Sequence, residues 1–160
     1  RVKDYIIESA ITVMKTLNRS ASEAMVDIGV NACTDVTGFG LLGHLKEMMD
    51  SSNKTAIINF NNIPIIEGVF PLINNGIIPG GTLNNLNSIL NNVVFDSRID
   101  QSKKVLMSDA QTSGGLIISI DSSKASILLE KIKKDSIYEA AIIGTVINRD
   151  SSSTSIKVSL

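Results

Sequence analysis

The chain has 160 residues, 43% of them apolar, and a formal net charge of −1 with both signs interspersed. That size suits one domain spanning residues 1–160, able to bury about two-thirds of its unfolded surface, and that charge offers no basic face to nucleic acid or to an anionic membrane. The longest apolar runs fall far short of the ~20 residues that cross a bilayer; one cysteine excludes an internal disulfide and one histidine a His-rich metal site. Aromatics are 4% and Trp is absent, so the core is expected to be aliphatic, built from Ile, Leu and Val.

In chain order, residues 4–18 carry Ile7, Ala10, Ile11, Met14 and Leu17, one stripe of an amphipathic helix. The chain opens on Arg1 and enters that pattern at once, as expected of a piece of a longer protein. Ser20 and Glu23 have the spacing of a capping box for a second helix that Gly29 ends. Residues 30–36 read as a short buried strand, and Leu41, Leu42, Leu45, Met48 and Met49 mark the core face of a helix starting near Gly40. A strand follows over 55–60.

Residues 53–92 hold eleven asparagines, a bias that can mark disorder. Ile and Leu are interleaved throughout, so the segment is read as folded. The pattern predicts a helix over 65–75, disturbed at Pro71 and stopped by Gly76, then a loop at Pro79-Gly80-Gly81. Thr82 is placed to cap a helix through Leu90 with Leu83, Leu86 and Leu90 inward. A brief strand over 93–95, a helix over 99–107 and a strand over 116–120 follow. Ser122 opens a helix burying Ala125, Leu128, Leu129 and Ile132, with Lys131, Lys133 and Lys134 on a solvated face. Strands over 142–147 and 154–158 are joined by polar residues 148–153, which reads as a hairpin. Mixed helices and strands with that antiparallel element predict an α+β fold, a mixed β-sheet covered by helices.

The stretch richest in chemical information is Asn31-Ala32-Cys33-Thr34-Asp35-Val36-Thr37-Gly38-Phe39-Gly40-Leu41-Leu42-Gly43-His44-Leu45. A strand ends at one carboxylate, glycines follow, and a helix begins. Asp35 can give Mg²⁺ an oxygen ligand, and glycines ahead of a helix N-terminus let backbone N–H groups approach phosphate. No Gly-Lys-Ser/Thr follows, so this is not a P-loop. The plainer alternative is a strand–turn–helix connection whose glycines serve packing and whose Asp35 caps a turn. Gln111-Thr112-Ser113-Gly114-Gly115 is a second hydroxyl- and glycine-bearing turn, able either to present N–H groups to an anion or only to turn the chain. His44 lacks a Ser or Cys partner in a nucleophile arrangement and is expected to cap or pack near the turn. Cys33, in an apolar strand, is expected to be a buried small hydrophobe.

The run Ala32–His44 resembles the signature of selenophosphate synthetase (selenide, water dikinase). Three further stretches agree in order: Thr16-Leu17-Asn18-Arg19 with Ser22-Glu23-Ala24, Pro79-Gly80-Gly81-Thr82 with Asn85, and Gln111-Thr112-Ser113-Gly114-Gly115-Leu116. The family commonly has Asp-Pro-Gln where this chain has Asp109-Ala110-Gln111. The resemblance is to the C-terminal half of that enzyme and implies the fold of the C-terminal domain shared with aminoimidazole ribonucleotide synthetase. It implies that the intact, cytoplasmic, homodimeric enzyme makes selenophosphate, AMP and phosphate from ATP, selenide and water. It further implies that Asp35 reaches a Mg²⁺ beside ATP held mainly by an N-terminal half. Thr37, Gly38, Gly40, Gly114 and Gly115 are the candidates to border the nucleotide, with strand and tight-turn geometry as their alternative duties. No catalytic nucleophile is expected in this half, which alone should be inactive. Other ATP-using members of the superfamily, of the purine-pathway synthetase or thiamine-phosphate kinase type, and a non-catalytic buttressing or dimerisation domain are the alternatives.

Overall fold

A computed structural model describes residues 2–135, 139–151 and 153–160. The element order is α1 (Asp4–Lys15), α2 (Arg19–Ile28), β1 (Ala32–Asp35), α3 (Gly40–Ser51), β2 (Lys54–Asn59), a 3₁₀ turn (Phe60–Asn62), α4 (Val69–Asn74), α5 (Thr82–Ile89), β3 (Val93–Phe95), α6 (Gln101–Met107), β4 (Leu116–Ser119), α7 (Ser122–Asp135), β5 (Gly144–Asn148) and β6 (Ile156–Ser159). The α+β expectation holds. A four-stranded sheet runs in the order β3-β6-β2-β5, with β6 parallel to both its neighbours and β5 antiparallel on β2. A separate two-stranded sheet pairs β1 antiparallel with β4, from Ala32 opposite Ser119 to Asp35 opposite Leu116.

The core is aliphatic, as composition requires. Leu42, Leu45 and Met49 of α3 pack with Ala56, Ile58, Ile156 and Val158 of the larger sheet and with Leu86, Ile89, Val105 and Met107 of α5 and α6. Phe60 is its one aromatic member among the described residues. None of the helices found there is long and apolar enough to cross a membrane.

Four local expectations are corrected. The two last strands form no hairpin: β5 and β6 flank β2 on opposite sides. A central β6 buries Ile156 and Val158 on pleat-alternate positions, which an edge hairpin would leave half-solvated. Of the joining stretch, Ser152 lies outside the described residues. The capping box is not formed: Ser20 lies inside α2, and Glu23 accepts from Arg19 Nε at 2.7 Å. Thr82 is not a cap; Gly81 takes the N-cap place, and Leu83 and Leu90 are exposed while Leu86 and Ile89 are buried. Pro71 falls in the first turn of the short α4, where its missing N–H costs no helical bond, and Gly76 at φ 71° closes the turn after it.

Helix α1 ends at Lys15, and its apolar arc is wider than the predicted stripe. Ile6, Ala10 and Val13 are half-buried, whereas Ile7, Ile11 and Met14 are exposed. On α7, Leu128 is buried, Ala125, Leu129 and Ile132 are half-buried, and Lys131 pairs with Asp27 of α2. Lys133 and Lys134 lie exposed as expected.

Candidate metal and phosphate rim

The β1–β4 pairing ends at Asp35, and beyond it two turns are stitched together. Val36 N donates to Gly115 O at 2.9 Å, and Gly114 N to Val36 O at 3.0 Å. Thr37 O accepts from Gly40 N at 3.0 Å and from Gln111 N at 3.1 Å. This proximity explains two glycines. A Cβ on Gly114 would lie 2.4 Å from Val36 O, and one on Gly40 would lie 2.7 Å from the Ser108 carbonyl carbon. Gly40 also sits at φ 72°, a left-handed conformation that side chains disfavour. Gly40 and Gly114 therefore have packing duties, and their amides are spent on internal bonds. Gly38 and Gly115 have open space around them. Ser113 holds φ 54° without being glycine, so the 111–115 turn stores backbone strain.

Two asparagines tie in the other two stretches. Asn18 Nδ2 donates to Gly114 O at 2.9 Å, and Asn85 Nδ2 donates to Gly38 O at 2.8 Å and to Ser108 O at 3.1 Å. Thr82, fully buried, donates through Oγ1 to Asp109 Oδ1 at 3.1 Å and accepts from Ala110 N at 3.2 Å. Burial pushes the Asp109 carboxyl above its ordinary range, and the Thr82 hydrogen bond offsets part of that. Ser108 Oγ is buried without a hydrogen-bond partner. All four motif-bearing stretches thus meet at one rim. The Thr82–Asp109 pair and the double bond of Asn85 went unread in the sequence, although both lie within or beside stretches already singled out.

Asp35 is exposed at this rim, and Thr37 is half-buried two residues on. Thr34 Oγ1 donates to Asp35 O at 3.3 Å, a main-chain bond. Thr37 Oγ1 and His44 Nε2 are hydrogen-bonded at 3.1 Å. His44 is buried, 5.6 Å from the exposed Phe39 ring between centroids, with Nδ1 3.8 Å from Glu47 Oε2. It packs at the glycine turn, as expected, and orients the Thr37 hydroxyl. Cys33 is half-buried, less enclosed than expected; burial, then the nearby Asp35 charge, pushes its thiol up. A broad trough of about 1940 Å³ opens between the two sheets, but its wall is mostly aliphatic and does not include Asp35. The rim can therefore offer one hard oxygen ligand, the Asp35 carboxylate, at the start of a turn tied to the 111–115 turn and, through Asn85, to α5.

Residues 8–157 match the family model described as AIR synthase related protein, C-terminal domain. The chain belongs to that family. Among curated relatives, it is 45% identical over 138 residues to the selenide, water dikinase of Caldanaerobacter subterraneus, covering 86% of this chain. It is 40% identical over 141 residues to that of Carboxydothermus hydrogenoformans and 39% over 143 residues to that of Myxococcus xanthus, each covering 88% of this chain. The aligned region makes up 40%, 41% and 40% of those three relatives, so the chain spans about two-fifths of their length.

Proposed function

We propose that residues 1–160 form the C-terminal domain of a selenide, water dikinase, whose intact cytoplasmic homodimer converts ATP, selenide and water to selenophosphate, AMP and orthophosphate. In this reading the nucleotide is held mainly by an N-terminal half, this domain's immediate partner, and Asp35 contributes one ligand to a shared Mg²⁺. The observation that supports it is the convergence of the four family-like stretches on one rim that leaves Asp35 exposed.

The donor set fits Mg²⁺. The ion prefers hard oxygens and takes one or two carboxylates, leaving its other positions to water and phosphate. When bound, it neutralises phosphate charge during transfer. The chain's own contribution is to fix the Asp35 main chain through the paired β1 and β4, to aim Thr37 through His44, and to leave Gly38 and Gly115 exposed to an approaching phosphate. Gly40 and Gly114 act one step back, keeping the two turns in contact. The test is AMP formation from ATP with and without selenide. The full-length protein is expected to need selenide, and residues 1–160 alone are expected to give no turnover. Selenide-independent AMP release by the full-length protein, or turnover by this domain alone, would overturn the reading.

A further inference from the structure

We infer that Asn85 is a positioning residue for the Asp35 site, acting through the turn that follows it; this rests on Asp35 being a metal ligand. Both partners of its side chain, Gly38 O and Ser108 O, are carbonyls, so only the amide NH₂ can face them, and both of its hydrogens are used. One planar group therefore joins α5 to the 36–40 turn and to the end of α6. Gly38 lies three residues from Asp35. A Cβ at Gly40, two residues further on, would strike the Ser108 carbonyl carbon and the Asp109 carbonyl oxygen, at 2.7 and 2.8 Å. The clamp thus sits where the turn meets the residues that follow α6 at backbone contact.

Gly38 O, on an exposed turn, can bond water if the amide is lost, whereas Ser108 is fully buried. Losing the clamp therefore also lowers stability, and the Mg²⁺ requirement is read apart from the melting temperature. The direction of the turn depends on this clamp. Outer groups that orient a metal ligand typically change metal affinity by about 10–100-fold when removed. In the full-length protein, Asn85→Ala and Asn85→Asp should each weaken Mg²⁺ binding beside a non-hydrolysable ATP analogue, read by calorimetric titration, by about 10-fold or more. The Mg²⁺ concentration giving half-maximal selenide-dependent AMP formation should rise to match. The rate at saturating Mg²⁺ should change much less. Ile89→Val, a core change on the same helix, lowers thermal stability without touching the clamp and should leave the Mg²⁺ requirement unchanged.

A wild-type Mg²⁺ requirement in Asn85→Ala would overturn the inference, whether or not its melting temperature falls, and that variant decides if Asn85→Asp does not fold. Asp35→Asn, run alongside, separates the two levels. If it shifts the Mg²⁺ requirement and Asn85→Ala does not, only the role of Asn85 falls. If it shifts nothing, the metal-ligand reading falls and the inference with it.

Discussion

Gly40 reaches the backbone of Ser108 and Asp109 more closely than any side chain allows, and it does so at a positive φ. Gly40→Ala combines overpacking against main chain with left-handed strain and is expected to cost roughly 2–4 kcal/mol. Gly38→Ala meets nothing within 4 Å and should cost less than about 1 kcal/mol. Urea unfolding of the two variants measures the difference directly; equal costs would mean the turn does not rest on α6. Close approach was expected of both glycines, and within this domain only Gly40 makes one. The sequence could not tell them apart, because the neighbour of Gly40 arrives from a distant part of the chain. His44 was legible as a packing residue from its lack of a nucleophile partner, but its bond to Thr37 depends on how the α3 start turns on the strand end.

Helix periodicity identified α1, but it could not say which part of a wide apolar arc the rest of the chain covers. The same limit applies to α5, where Leu83 and Leu90 share an arc with the buried Leu86. The misread hairpin has a different origin. Two strands joined by a polar loop are locally a hairpin, and only the insertion of β2 between them, a contact far along the sequence, says otherwise. Side chains fix that arrangement. Asp50 of α3 accepts from Arg149 Nη2 at 2.8 Å and from Ser155 Oγ at 2.6 Å, and Arg149 also donates to Lys54 O at the start of β2.

Burial alone would push the Asp50 carboxyl up, but hydrogen bonds from Lys46, Ser155 and Arg149 outweigh it and hold the group lowered to about 2 from 3.8. A carboxylate whose folded value lies below its unfolded one stabilises the fold above the unfolded value. That stability is lost as pH falls from about 4 toward 2. The stability gap between wild type and Asp50→Asn should therefore narrow over that window. Asp96, Asp100 and Asp121 are also lowered by their own partners, so the difference between the two proteins, not the acid transition itself, is the measurement. A gap constant from pH 5 to pH 2 would show that Asp50 does not tie α3 to the ends of β5 and β6.

At the scale of the molecule, the fold class was legible because strand and helix patterns are strong, and the core composition followed from the missing aromatics. The four stretches that form the candidate site stood out in order along the sequence. Their meeting point needed the pairing of β1 with β4 and the side-chain bonds of Asn18, Asn85 and Thr82, none of which leaves a local pattern. What results is a rim whose turns are hydrogen-bonded together and which leaves one carboxylate, Asp35, exposed. The most direct test is Asp35→Asn in the full-length protein, with selenide-dependent AMP formation and melting temperature both measured. A loss of about 10²-fold or more in turnover is expected, from a lost interaction at developing charge, with the melting temperature unchanged because Asp35 is exposed. Wild-type turnover in that variant would contradict the metal-ligand reading of Asp35.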